Sequence, residues 1–491
     1  MPPPSERLGT RRALIGRGGE LADLRSALGG ARAGRGRFLL VVGEAGIGKT
    51  ALLEAFVEEA QATDVRSVMA RCRPVGAPPW SLWAQVVRGC AEARPDQDVA
   101  NLVGPGAPDL SLIAADAVPH PVGPSPAGPP TRDARARLFD SVISFLARVA
   151  CDGGLLVVLD DLHCAELASL LLLQHAVEEL GDSPALIVAS YSDVDVRSAP
   201  SMQRQLTAVG RRGRRITMSG LNAQETAELM AVTLGRPPTP EHADVTYATS
   251  GGNPLFVQEA VESLSDGSVI PEELAGLVRQ RLERLPPSTR EMLGTAAVLG
   301  PDFDVTDLQR ASGESEAVLL AMLSEAERGG LLGEASAGRR SFRHPVFQET
   351  IYHEIRPSLR TLLHRRAADA LEPGGDVWML AHHAFEAARS GDGRRAYDAC
   401  SRAGEAAMNV LAFEQAAVQF GRARRGLDRA ARRRTGAARR SDEARRRNAR
   451  RRRGRGGTGA LPPGAQVCEG GRVAGAGRAR RRRLRAPTRI R

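Results

Sequence analysis

The chain has 491 residues, 42% of them hydrophobic, which is enough for two to four domains with buried cores. It has no run of about 18 apolar residues to cross a membrane and no apolar stretch of a signal peptide at its start, and its six cysteines include no C-x-x-C pair, so neither a zinc site nor a disulfide framework is expected. The net charge of +11 is divided unevenly: from Gly421 to Arg491 there are 26 Arg and four acidic residues, a net +22, which leaves −11 on residues 1–420.

After a polar leader over 1–12, Leu14-Ile15-Gly16-Arg17 leads into a helical pattern with Leu21, Leu24 and Leu28 on one face. Phe38 to Val42 is a short continuous apolar run, as expected of a buried parallel strand. Gly43-Glu44-Ala45-Gly46-Ile47-Gly48-Lys49-Thr50 follows and matches G-x-x-x-x-G-K-[ST], and Ala51 to Phe56 opens a helix. Strand, glycine loop and helix together are the setting of a phosphate-binding loop. Such a loop wraps backbone N–H groups around phosphates, and the helix N-terminus adds its positive end. Lys49 would bridge the β- and γ-phosphates of ATP, and Thr50 would give its hydroxyl oxygen to Mg²⁺. Lys49 is also the chain's single lysine among 68 basic residues. A GC-rich gene explains arginine everywhere else. A compact ammonium on a thin stem explains the exception, because a wide planar guanidinium differs in shape where a point charge must pass between phosphate oxygens.

Residues 65–70 are expected as a strand, 80–93 as a helix, and 102–131, rich in Pro and Gly, as a surface excursion. Ala134 to Val149 is an amphipathic helix. Leu155-Leu156-Val157-Val158-Leu159 then runs into Asp160-Asp161, a buried strand ending in two carboxylates. Asp160 would hold the Mg²⁺ shell and Asp161 would orient or polarise the attacking water; the bland alternative is an ordinary polar strand exit. His163 reads as a helix-start or packing residue and not as a base. With a helix over 166–180 and a strand over 185–190, the alternation implies an α/β fold, a doubly wound parallel sheet. Past residue 200 the pattern becomes helical: 222–235, 253–265, four or five short helices within 271–371, and a small hairpin around Gly338. Trp378 to Ala388 and Arg394 to Met408 form an Ala-rich helix–turn–helix that resembles a tetratricopeptide-like repeat.

Several segments occur in an order that resembles one known group. Leu14 to Arg17, the loop Gly43 to Thr50, Ala77-Pro78-Pro79-Trp80, Leu159-Asp160-Asp161-Leu162-His163 and Gly252-Asn253-Pro254-Leu255-Phe256 look like the STAND class of P-loop NTPases. The likeness is closest to the ATPase module of the large ATP-binding LuxR-type regulators and covers roughly residues 13–425. It implies a P-loop ATPase core over 13–200, a helical lid over 201–270, a winged-helix-like domain over 271–372 and truncated helical repeats over 373–430. It also implies a slow switch, ADP-bound at rest and ATP-bound when an inducer or protein partner engages the repeats. By the same resemblance Pro254 would lie near the adenine, and His344 would contact the nucleotide phosphates. Two departures bear on hydrolysis. Ser190-Tyr191-Ser192-Asp193 has serine where relatives often carry the arginine that senses the γ-phosphate, and Cys164 replaces the usual Trp after His163.

No helix-turn-helix that would read DNA is found. The 302–334 stretch, with eight acids against Arg310 and Arg328, would repel phosphates. The tail from 431 onward admits three readings: an arginine-rich arm binding nucleic acid non-specifically, a solvated disordered end, or an out-of-frame translation. The last is favoured, because a shifted frame in a GC-rich gene yields Arg, Ala, Gly and Pro. Helical repeats that stop so early would leave apolar surface open and favour self-association. The function expected is an ATP-binding regulatory switch in a reduced, cytoplasmic setting. The alternatives are a hydrolysis-deficient nucleotide-binding scaffold and a DNA-binding, initiator-like ATPase.

Overall fold

A computed structural model describes residues 14–429, apart from 73–75, 93, 119–129, 194–195, 197–199, 266–273, 337, 373–375 and 391. All of these lie in one compact unit, Met1–Arg433. The arginine-rich tail and its three readings fall outside the described residues.

Helix α1 (Gly18–Arg32) precedes β1 (Arg37–Val42), α2 (Lys49–Gln61), β2 (Arg66–Arg71), α3 (Ser81–Ala91), α4 (Asp96–Val103), α5 (Ala107–Ala114), α6 (Arg132–Cys151), β3 (Leu155–Asp160), α7 (Leu167–Glu179), β4 (Ala185–Tyr191), α8 (Pro200–Gly210) and β5 (Arg214–Thr217). The strands form one parallel sheet in the order β2-β3-β4-β1-β5. β3 and β4 are buried at every residue, which is why they read as unbroken apolar runs. Alternate side chains go to opposite faces. Phe38, Leu40 and Val42 join the layer of α3 to α8, whereas Leu39 and Val41 join α1 and α2. The crossover from β1 to β2 therefore runs on one face and the later crossovers run on the other. Winding reverses at β1, and a crevice opens beyond its carboxyl end, the place where open parallel sheets bind ligands.

The segment 102–131 departs from its expected role as a surface excursion. Its first part is helical, and Val103, Leu110, Ala114 and Val118 are buried in the same core as α3 and α6. Pro108 falls in the first turn of α5, where a missing N–H costs nothing. Proline and glycine here start and stop helices and do not mark a loop; residues 119–129 are outside the described set. Leu110→Ala is expected to lower stability by about 3 kcal/mol, read from the denaturant midpoint at constant m-value. A surface excursion would give almost no change.

Three helices follow: α9 (Ala223–Leu234), α10 (Pro240–Ser250) and α11 (Pro254–Ser265). The first opens with a reciprocal capping box between Asn222 and Glu225. Next come α12 (Leu274–Glu283), α13 (Pro287–Leu299), β6 (Asp302–Asp304), α14 (Val305–Ser312), α15 (Glu316–Arg328), β7 (Leu332–Ser336), β8 (Arg339–Phe342), α16 (Pro345–Glu354) and α17 (Pro357–Leu371). That makes six helices among the described residues of 271–371, where four or five were expected. The β7–β8 hairpin forms around Gly338 as expected, and β6 adds an unforeseen third strand, in the order β6-β8-β7. From α13 to β8 the succession is helix, strand, helix, helix, hairpin. A helical region completes the described chain: α18 (Val377–Ala387), α19 (Gly393–Asn409) and α20 (413–429). On α20, Val418, Phe420 and Leu427 are exposed.

Candidate nucleotide site

The glycine loop spans the gap between β1 and α2, at the carboxyl end of the sheet. Gly46 and Gly48 adopt φ of +78° and +99°, a left-handed conformation that glycine enters without penalty. The two turns bring the chain round so that α2 begins at Lys49, with Gly48 as an N-cap that has no side chain to occupy the first-turn N–H groups. The positive end of α2 thus faces the crevice. Lys49 is only 7% exposed, and its ammonium donates to the carbonyls of Gly43 at 3.0 Å and Glu44 at 2.9 Å. Behind the loop, the buried Arg17 donates to the Ile47 carbonyl at 3.1 Å and pairs with Glu20 at 3.3 Å.

Thr50 and the end of β3 meet directly. Thr50 Oγ1 donates to Asp160 Oδ2 at 2.8 Å, joining residues 110 apart in sequence. Asp160 is fully buried. Its Oδ1 accepts from Ser190 Oγ at 2.5 Å, and its Oδ2 also accepts from Arg71 Nε at 3.2 Å. Asp161 turns away from the strand at φ +60°, with its N–H donated to Ser190 Oγ at 3.0 Å. Burial, together with the Asp160 charge, raises the Asp161 carboxyl above the usual carboxylate range. His163 Nδ1 lies 3.9 Å from Asp161. Ser192 is 2% exposed at the end of β4, and its hydroxyl has no hydrogen-bond partner among the described residues.

The loop also carries contacts from much later in the chain. Asn253 Nδ2 donates to the Ala45 carbonyl at 3.0 Å, and the Leu255 N–H donates to the Gly46 carbonyl at 3.3 Å. Pro254, between them, is the first residue of α11, so the start of that helix is seated on the glycine loop. A Cβ at Gly46 would come within 2.8 Å of Leu255 Cβ, so the contact has no room for a side chain. His344 caps α16, with its ring edge-on to Phe347. It is the adjacent Arg343 that reaches Glu262 of α11, at 3.2 Å.

Compared with known proteins, residues 13–188 match the AAA ATPase domain family. Residues 13–188 are a P-loop AAA-type ATPase domain. An uncharacterized protein of Rhizobium meliloti (strain 1021) is 25% identical over 419 residues, which is 76% of this chain and 39% of that protein. The chain therefore spans well under half the length of that relative. Among solved structures it is similar to a Signal Transduction ATPase with Numerous Domains (STAND) protein with a tetratricopeptide repeat sensor from Pyrococcus horikoshii, at 14% identity and a TM-score of 0.45, covering 83% of this chain and 57% of that one. It is also similar to the ORC2 protein of Aeropyrum pernix in ADPNP–ADP complexes, at 16% identity and a TM-score of 0.33, covering 76% of this chain and 96% of that one.

Within the ATPase domain, the expected residues Gly43 to Thr50, Asp160 and Asp161 come together at one end of the sheet. From outside it, Asn253 and Leu255, on either side of Pro254, reach the same loop. Arg71, Ser190 and Asn253 were not singled out by their own chemistry. Arg71 lies on β2 in register with Asp160 on β3, and only that pairing makes it part of the site.

Proposed function

We propose that the chain is an ATP-binding regulatory switch with slow hydrolysis, of the signalling kind that the LuxR-type resemblance implies. The observation that carries this reading is the seating of α11 on the phosphate loop through Asn253 and Leu255. A ligand entering between β1 and α2 has to be accommodated against a helix that belongs to the next domain. Nucleotide state is thereby coupled to the position of the lid, and through the Glu262–Arg343 pair to the winged helix. Pro254 would face the adenine and His344 would approach the phosphates as these parts close. The glycine loop and Lys49 bind the phosphates, while Thr50 and Asp160, already hydrogen-bonded to each other, are the pair that would hold Mg²⁺. When bound, that ion neutralises charge developing on the phosphoryl oxygens. Asp161 positions and polarises the attacking water.

A second contact supports coupling toward the C-terminal helices. Trp80, fully buried, donates its indole N–H to the Val410 carbonyl at 2.7 Å, and Arg135 pairs with Glu414 at 2.7 Å. The helical region where an inducer or protein partner would bind is therefore in direct touch with the ATPase domain. We read the helices from Ala223 to Ser265 as the lid, 271–372 as the winged-helix-like domain and 373–430 as the repeat array; α8 and β5, which the expected lid over 201–270 would have included, belong with the parallel sheet of the ATPase core.

The second reading, a scaffold that binds nucleotide without turnover, is favoured by Ser192. A serine brings no charge to the γ-phosphate, and an arginine aimed at it can carry much of the rate. The test is to denature the purified full chain and identify what it releases. The switch reading expects close to one ADP per chain, with slow phosphate release on addition of ATP and Mg²⁺. Release of ATP with no turnover selects the scaffold, and a chain that neither carries nor takes up nucleotide sinks both.

A further inference from the structure

Helix α17 closes the winged-helix unit and α18 opens the helical region, and the two pack along their lengths. Three histidines lie in that seam: His364 on α17, and His382 and His383 on α18. His364 is 1% exposed and His383 fully buried, while His382 is partly accessible. One ring nitrogen from each lies within 4.8 Å of the other two. The Nδ1 atoms of His364 and His383 face one another at 2.9 Å. Tyr352 Oη, from α16, lies 3.0 Å from His364 Nε2. His383 Nε2 is buried with no hydrogen-bond partner among the described residues.

We propose that His364, His382 and His383 form a binding site for one divalent transition-metal ion of the zinc class, held between α17 and α18. Imidazole nitrogen suits zinc and its first-row neighbours, and the absence of carboxylates in the trio argues against calcium or magnesium. A tetrahedral ion with bonds of about 2.0–2.1 Å would set its ligand atoms roughly 3.3 Å apart. The two facing Nδ1 atoms are close to that separation, and the third ring needs only a side-chain adjustment. Tyr352 is the outer partner that ligating histidines typically have: it engages His364 Nε2, fixes the ring, and leaves Nδ1 for the ion. The two facing Nδ1 atoms can share one proton as a hydrogen bond or, both unprotonated, bind one ion between them. His382, the most accessible of the three, marks the side of entry.

The consequence concerns the joint between domains. Ala368 of α17 packs in one apolar cluster with Ala381 and Ala384 of α18, while Trp378 of α18 packs against the core cluster that the ATPase domain shares with Ala407, Leu411, Ala412 and Ala416. A metal ion here would pin α18 to the winged helix at a point that also borders the ATPase domain.

The experiment titrates the chelator-treated full chain with Zn²⁺ by calorimetry and with Co²⁺ by visible absorption, and follows Tm with and without Zn²⁺. The expected result is one ion per chain, a tetrahedral Co²⁺ spectrum, and a Zn²⁺-dependent rise in Tm that EDTA reverses. His383→Ala removes all three but disturbs a buried position. His382→Ala is therefore the deciding variant: it keeps a metal-free Tm near that of the parent and loses the Zn²⁺ response. His242→Ala, at an exposed histidine of α10, keeps stoichiometric binding. A parent chain that takes up neither ion, or a His382→Ala chain that still binds one per chain with the same spectrum, overturns the site and leaves the histidines as a packed, hydrogen-bonded trio.

Discussion

Lys49→Ala is expected to weaken ATP and ADP binding on the order of 1000-fold, roughly 4 kcal/mol, since two charge-assisted hydrogen bonds to phosphate are lost together. Lys49→Arg should come close to the same loss. The reason is shape. The ammonium sits 7% exposed at the base of the loop, donating at 3.0 Å and 2.9 Å to the Gly43 and Glu44 carbonyls. From there a small rotation about a thin stem turns it toward phosphate oxygens. A guanidinium carries the same charge on a rigid plane with five donors and would have to push the loop open. The chain uses arginine at every other basic position, so the arginine variant tests whether the one lysine is there for its geometry. Binding is measured by calorimetry or with a fluorescent nucleotide, alongside a thermal melt to show that the variant is folded. An arginine variant that binds with the parent's affinity removes the geometric argument, and an alanine variant that does so removes the site.

How much of this was legible in the sequence varies with how far each feature depends on contacts made only after folding. β1, the glycine loop and α2 were legible because each is written locally: a continuous apolar run, then glycines at fixed offsets, then helical spacing. β3 was legible for the same reason, since a strand buried on both faces tolerates no polar residue until it ends, here at Asp160-Asp161. β5 was not, because Arg214, Arg215 and Thr217 are exposed and only Ile216 is buried; it is a strand because β1 offers it an edge. Helix α10 buries only Thr246, so no stripe of apolar residues announces it. The stretch 102–118 misled because its prolines and glycines serve as helix ends. Arg71 and Asn253 were invisible as site residues because their partners, Asp160 and the Ala45 carbonyl, are 89 and 208 positions away. The histidine trio has the same character. Histidines 18 and 19 residues apart on two helices carry no pattern until α17 and α18 are laid side by side.

Asp161→Asn is expected to leave nucleotide affinity within about two-fold of the parent while lowering turnover by on the order of 100-fold or more, the share a positioned acid or base commonly supplies. The substitution suits the backbone. Asp161 sits at φ +60°, and asparagine enters the left-handed region about as readily as aspartate. The hydrogen bond that fixes the turn comes from its own N–H to Ser190 Oγ and does not involve the side chain. Lys49, Thr50 and Asp160 keep their contacts, so phosphate and Mg²⁺ ligation should be untouched. What is lost is the carboxylate. Burial and the neighbouring Asp160 raise its pKa, which makes it a better proton acceptor than a free carboxylate. An amide cannot accept a proton at all. Steady-state phosphate release, measured at saturating ATP beside a binding titration, separates the two effects. Equal turnover in parent and variant would take Asp161 out of the chemistry. If the parent itself releases no phosphate, the comparison moves to Ser192: restoring arginine there should then produce measurable hydrolysis, and its failure to do so would mean that the serine is not what withholds it.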